Sequence, residues 1–235
     1  MSTNIKPLII IDKPLKITSM DVVRVLRRLL KSVGIKTKIG YAGTLDPYAS
    51  GVLIVGIGRS GTKLLGDLTD KDKEYICEID LLKNSYSGDM EEFIPEYQLT
   101  MPEGVEIPTA DKINNIIKTK FIGRIKQIPP TLSAIKINGR KACDLVRENI
   151  NVVMKERTIT IFDIEILSVQ FPVIKLHVKC SKGTYIRTLG QDLGRELGLW
   201  GTLISLRRIK CGDHTINDSI ELNKITLNDL LINMN

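Results

Sequence analysis

A chain of 235 residues, 43% hydrophobic and 26% charged, is long enough to bury a full core and has the balance of a soluble globular protein. Its 34 basic against 27 acidic side chains leave a net charge of +7 and a pI near 9.2, which favours polyanionic partners such as nucleic acid. Four scattered cysteines, Cys77, Cys143, Cys180 and Cys211, and only two histidines argue against a structural zinc site and against a disulfide framework.

The first predicted element is a short buried strand over Leu8 to Ile11, ended by Asp12-Lys13-Pro14. This run is too short and too soon interrupted for a signal peptide or a membrane span, so a cytoplasmic protein with reduced thiols is expected. Thr18-Ser19 offers an N-cap to a helix with the apolar stripe Val22, Val25, Leu26 and Leu29. Arg24, Arg27, Arg28 and Lys31 fall on its other face, where the simplest reading is solvation.

The stretch from Gly40 to Gly51 joins three glycines, a proline and the carboxylate of Asp46, and runs into Val52-Leu53-Ile54-Val55. That order predicts a tightly shaped loop entering a buried strand, with Asp46 held at the mouth of a rigid element. Next, Gly56-Ile57-Gly58-Arg59-Ser60-Gly61 fits the G-x-G-x-x-G outline of a dinucleotide-binding turn, with Glu78 and Asp80 downstream. Only Ser60 to Leu68 can be helical after it and no βαβ repeat follows, so the context argues against that site.

Glu74 to Leu82 is predicted as a strand with Tyr75 half-buried near its start, Lys83 to Asp89 as a polar turn, and Met90 to Glu106 as a surface connection. Thr109 caps a predicted helix through Lys118 with the stripe Ile113, Ile116 and Ile117. Gln127 to Ala134 is proline-stiffened and extended, Asn138-Gly139 marks a turn, and Ala142, Leu145 and Val146 mark a short helix. Thr158 to Val169 reads as a strand or bent strand pair. Ile174, Leu176, Val178 and Cys180 then alternate with Lys175, His177 and Lys179, the period of a half-exposed strand.

Ser181 to Thr184 breaks that strand and starts a helix burying Ile186, Leu189, Leu193 and Leu197 and ending at Gly198. Arg187 falls in its first turn, where the macrodipole disfavours a cation by up to about 1 kcal/mol. It either bends toward solvent or has a carboxylate partner, for which Asp46 is a candidate. The segment Leu203 to Cys211 contains Leu206-Arg207-Arg208 and precedes a tail with a last short helix. Without repeats, low-complexity tracts or a Gly/Ser tether, residues 1–235 are expected to form a single domain.

Several segments in this order resemble the TruB-type pseudouridine synthase family: Lys13-Pro14 with Thr18-Ser19, Gly43-Thr44-Leu45-Asp46-Pro47, Thr62-Lys63, and Lys73-Glu74-Tyr75. Pro129-Pro130 with Ser133-Ala134-Ile135-Lys136, Cys180 to Arg187, and Leu206-Arg207-Arg208 complete the set. The resemblance implies an α+β pseudouridine synthase fold, a largely antiparallel mixed sheet flanked by helices with a central RNA-binding cleft. It implies isomerisation of the T-loop uridine of tRNA, the position conventionally numbered 55, to pseudouridine. Asp46 would be the catalytic carboxylate, as nucleophile or as base toward ribose or uracil. Tyr75 would stack on the target base and assist proton removal at C5, and Arg187 would pair with Asp46. Tyr185 and Leu206 would line the pocket, and Lys13, Lys73 and Tyr41 would contribute to substrate binding. Position 41 is tyrosine where the family commonly has histidine, and the chain ends without the C-terminal PUA domain usual in the family. The resemblance further implies no cofactor and no metal, the tRNA T-arm as partner, no obligatory protein partner and a monomer. A guide-RNA-dependent relative, a non-catalytic RNA chaperone and, as the outside case, a dinucleotide-dependent oxidoreductase are the alternatives.

Overall fold

The computed structural model describes residues 5–90 and 100–232. In chain order the strands and helices are β1 (Leu8–Lys13), α1 (Ser19–Ser32), β2 (Ile39–Ala42), β3 (Ala49–Ile57), α2 (Gly58–Thr69) and β4 (Lys73–Asp80). There follow α3 (Ala110–Ile116), β5 (Gly123–Gln127), β6 (Lys136–Ile137), β7 (Arg140–Lys141), α4 (Ala142–Arg147), β8 (Arg157–Gln170) and β9 (Val173–Cys180). The last are α5 (Ile186–Glu196), β10 (Thr202–Cys211), β11 (His214–Thr215), β12 (Ile220–Glu221) and α6 (Leu227–Leu230). Contacts divide them into two compact units, Met1–Glu74 with Arg207–Asn235, and Tyr75–Leu206. The chain passes between the units inside β4 and inside β10, so no linker marks either crossing.

In the first unit the strand order is β12-β1-β3-β10, with β2 also on β3 and β11 on β10. β1 and β3 are antiparallel from Leu8 opposite Gly56 to Lys13 opposite Gly51, whereas β1 and β12 are parallel. α1 forms because Thr18 caps it in a full capping box with Asp21, satisfying two end donors at once. Its buried stripe is Val22, Val23, Leu26 and Leu30, which keeps two of the four predicted positions, and Val25 and Leu29 are half-buried. Both sets fit a 3.6-residue period, and only the surface that receives the helix selects between them.

Two predictions about the glycine-rich part of this unit are corrected, the loop at its start and the length of the helix after it. Gly40 to Ala42 is strand, not loop, because Gly40 lies opposite Gly56 and Tyr41 opposite Val55 in the β2–β3 ladder. The G-x-G-x-x-G stretch is a packing device. A Cβ at Gly61 would lie 1.8 Å from the Pro7 carbonyl oxygen, and one at Gly56 2.6 Å from that of Gly61. These glycines let α2 lie against neighbouring backbone, and α2 runs through 12 residues, longer than predicted.

In the second unit β4, β9, β8 and β5 lie side by side, and β5–β8 and β8–β9 are antiparallel. β8 is one 14-residue strand with register shifts at Ile161/Asp163 and Ile166/Ser168, which accounts for its irregular pattern. β9 alternates half-buried and buried side chains throughout, as predicted. α5 buries Ile186, Leu189 and Leu193 from its own length, and Leu197 at its end. Thr109 caps α3 by accepting from the Lys112 amide, and a π-helical turn, Ile117–Phe121, prolongs it. Asn138 and Gly139 both have positive φ (50° and 83°) between β6 and β7, the conformation a two-residue hairpin turn requires. The turn stands where Asn138-Gly139 was expected to make one, whereas strand β5 and the two short strands β6 and β7 carry no clear period and were not predicted.

The Lys83–Asp89 segment is irregular and polar, as expected of a turn region, yet Ser85, Ser87 and Asp89 within it are buried. Each hydroxyl has a nearby acceptor: Ser85 Oγ donates to the Asp89 carbonyl at 2.8 Å and Ser87 Oγ to Asp89 Oδ1 at 2.9 Å. Buried polar side chains are tolerated on these terms. Within the predicted Met90–Glu106 connection, residues 91–99 lie outside the described residues.

Candidate active site

Asp46 sits half-exposed on the loop between β2 and β3, and buried groups on both sides fix that loop. On one side Ser19, at the start of α1, accepts from the Leu45 amide and donates to the Leu45 carbonyl, both at 2.9 Å. The Lys16 amide donates to the Pro47 carbonyl at 2.7 Å, and the Ala49 amide to that of Asp46 at 3.0 Å. On the other side the Arg208 guanidinium, 1% exposed, donates to the Gly43 carbonyl at 2.9 Å and to that of Val52 at 2.8 Å. It thereby ties the start of the loop to the strand that follows it. Gly51 permits this approach, because a Cβ there would lie 2.1 Å from the Arg208 carbonyl oxygen.

Lys13 is fully buried at the end of β1, and its ammonium donates to the carbonyls of Pro14 and Ile17, both at 2.8 Å. Burial pushes its pKa down from 10.5 to about 8; the Asp46 carboxylate opposes that shift, the Arg208 guanidinium adds to it, and Asp21 opposes it weakly. The Lys13 ammonium and the Asp46 carboxylate thus attract one another. Lys73 is also buried, with its ammonium on the Thr69 carbonyl at 2.6 Å and on that of Lys71, where it closes the C-terminal end of α2. Tyr41 is half-buried on β2. Lys13, Asp46 and Arg208 thus form one electrostatic group in the first unit. Its arginine was named only within the Leu206-Arg207-Arg208 motif and given no role, since no local pattern marks Arg208 as interior.

Tyr75, Tyr185, Arg187 and Leu206 belong to the second unit. Tyr75 is 8% exposed, more buried than the half-exposed strand residue expected. Arg187 does not bend toward solvent: it is 3% exposed, with Nη1 donating to the Ser87 carbonyl at 3.0 Å and Nη2 to the Leu132 carbonyl at 2.9 Å. Its Nε lies 3.4 Å from the buried Asp89 carboxylate, so a compensating acid stands in the segment that was predicted as a polar turn. Tyr185 is held through its backbone, its amide donating to Gln127 Oε1 at 2.9 Å and its carbonyl accepting from Nε2 at 3.0 Å. The Arg157 guanidinium stands 6.0 Å from its ring centre. Leu206 is buried on β10. Asp89 and Gln127 were likewise not identified from the sequence.

Residues 27–186 match the family model described as TruB family pseudouridylate synthase (N terminal domain). The chain is 39% identical over 221 residues to a tRNA pseudouridine synthase B of Clostridium kluyveri, covering 94% of this chain and 72% of that protein. It is 41% identical over 208 residues to the protein of the same name from Parabacteroides distasonis, covering 88% and 86%. For the Fusobacterium nucleatum protein the figures are 41% over 209 residues, 89% and 69%. Among solved structures it resembles a chain of a Cbf5-Nop10-Gar1 complex, with a TM-score of 0.69 at 28% identity, over 92% of this chain and 52% of that one. It also resembles a chain of an H/ACA RNP bound to a substrate RNA containing 2′-deoxyuridine, with a TM-score of 0.65 at 26% identity, over 92% and 51%. The chain spans about half the length of those two solved chains.

Proposed function

The chain belongs to the TruB family of pseudouridylate synthases, and from that premise we propose that it isomerises the T-loop uridine of tRNA, at the position conventionally numbered 55, to pseudouridine. The bond from ribose C1′ to uracil N1 breaks, the base turns and C5 joins C1′; C5 gives up its proton and N1 takes one up, so the product is an isomer of the substrate. The reaction is redox-neutral and moves no group to another molecule, so it requires no cofactor and no metal.

The observation that carries the reading is the setting of Asp46: a solvent-reachable carboxylate on a loop held by Ser19 and Arg208, with the buried Lys13 ammonium acting on it. Such a carboxylate is charged, aimed and costs little reorganisation when it acts as nucleophile or base. Tyr75 is proposed to stack on the uracil once it leaves the loop stack, an exchange worth about 1–3 kcal/mol, and to assist removal of the C5 proton. Tyr185 and Leu206 are proposed to line the base pocket, Arg187 to supply the counter-charge of the catalytic carboxylate, and Tyr41 to contact the RNA. Lys13 is proposed to act through its charge on Asp46 and Lys73 through the end of α2 that it closes, since their ammonium groups are already engaged with carbonyls. The enzyme works as a monomer in the cytoplasm on the T-arm alone, without a guide RNA or protein partner.

Pseudouridine mapping in transcribed tRNA incubated with the purified protein tests this reading. The expected result is one modified T-loop uridine in bare tRNA. Asp46→Asn should retain RNA binding and lose roughly 10⁴-fold or more in turnover, the scale on which removal of a reacting side chain acts. Turnover retained in that variant refutes the role of Asp46, and modification only in the presence of a guide RNA refutes the stand-alone mode.

A further inference from the structure

We infer that the exposed basic face of α1 is a phosphate-binding track for the tRNA backbone beside the target uridine; this rests on the tRNA reading above. The positive charge of the chain is unevenly placed. The first unit has 17 Lys and Arg against 11 Asp and Glu, and so carries six of the seven net charges. Arg24, Arg27, Arg28 and Lys31 stand at i, i+3, i+4 and i+7 on α1, one stripe along one face, and all four are exposed. Arg24 shares its charge with Asp21, while Arg27, Arg28 and Lys31 have no carboxylate partner among the described residues. An ion-pair network is therefore not what these residues build. Solubility alone is better served by interspersed signs.

Attachment distinguishes this stripe from an ordinary solvated face. Ser19, the first residue of α1, is doubly hydrogen-bonded to Leu45, and the Lys16 amide just before it is bonded to the Pro47 carbonyl. These contacts flank Asp46 on both sides. The exposed Lys16 side chain stands at the head of the track. At 1.5 Å per residue, Arg27 and Arg28 lie about 12–14 Å along the axis from Ser19, and Lys31 about 18 Å. The capping box and four buried side chains keep the helix rigid, so its charges keep one geometry relative to the reacting carboxylate. A nucleic-acid strand carries a charge every few ångström along its axis, so a stripe of this length meets more than one phosphate. Contacts so far from the reacting atoms are equal in ground and transition states and act on affinity, not on turnover.

The test compares wild type with Arg27→Gln/Arg28→Gln, using a transcribed T-arm stem-loop as probe. Affinity should fall about tenfold, and the slope of log K against log salt should become shallower by about 1.4–1.8 for two lost phosphate contacts. Single-turnover pseudouridine formation at saturating RNA should stay within about twofold of wild type, with the melting temperature unchanged. Arg27→Lys/Arg28→Lys should keep most of the affinity. As a control for net charge, Lys118→Gln/Lys120→Gln in the second unit should leave the slope unaltered. A wild-type protein that modifies the stem-loop, paired with a glutamine variant of unchanged affinity and slope, overturns the α1 track and leaves the tRNA reading standing. Equal losses in the Lys118/Lys120 control also overturn it, and a wild-type protein that neither binds nor modifies the stem-loop overturns both.

Discussion

Arg208→Met should loosen the loop that presents Asp46 and destabilise the first unit together. The guanidinium is 1% exposed and makes two charge-assisted hydrogen bonds, to the Val52 and Gly43 carbonyls. Bonds of this kind contribute about 1.5–3 kcal/mol each, and a buried carbonyl left without a donor costs about 1–3 kcal/mol. Methionine fills most of the volume, so the loss is electrostatic and amounts to about 3–5 kcal/mol, in line with other buried charge networks. At 2–4 °C per kcal/mol for a chain of this size, the melting temperature should fall by roughly 6–20 °C. The guanidinium also depresses the Lys13 pKa, so its removal should let Lys13 titrate above 8. Arg208→Lys, whose single ammonium reaches one carbonyl more readily than two, should fall between. Melting curves and single-turnover rates, the latter measured well below the new transition, check both effects. A melting temperature within about 2 °C of wild type, with an unchanged rate, would refute the clamp.

Lys13 predicts a pH dependence of defined sign. Its pKa is about 8 in the folded chain against 10.5 ordinarily, so between these values the unfolded chain holds more protons and stability rises with pH. That rise, a few kcal/mol at most, should be absent in Lys13→Met when urea unfolding is followed from pH 7.5 to 10. Turnover should decline as pH passes about 8, where Asp46 loses the nearby ammonium, and refolding titrations of the wild type should show no matching loss of structure. Two glycines of α2 should respond oppositely to alanine. At Gly61 the new methyl would lie 1.8 Å from the Pro7 carbonyl oxygen and should cost about 3 kcal/mol or more, whereas Gly66 has no atom within 4 Å and should gain about 0.5–1 kcal/mol. Thermal melts of the two variants distinguish these signs.

Much of the local structure was written in short-range patterns. Thr18 and Asp21 announce the start of α1, strict alternation announces β9, Asn138-Gly139 announces its turn, and a four-residue apolar recurrence announces α5. Each of these depends on neighbours within about one turn or one strand, which is the range over which backbone sterics and side-chain periodicity act. The loop of Asp46 was legible too, as glycines and a proline around a carboxylate, and ordered motifs extending over nearly the whole chain identified the family.

Only the tertiary structure decided the rest. The Gly43 carbonyl meets Arg208 across 165 positions, the Tyr185 backbone meets Gln127 across 58, and Arg187 meets the Ser87 carbonyl across 100. No local preference encodes such pairs, because a buried charge is tolerable only once its partners have been brought to it, and their identity depends on the path of the intervening chain. The same holds for the two glycines at Gly56 and Gly61: in sequence they outline a nucleotide-binding turn, and in space they admit neighbouring backbone. Residue types and periods determined which elements form and that a carboxylate would be displayed. Which cations hold that carboxylate's loop, and which remain free for a polyanion, followed from where folding placed them.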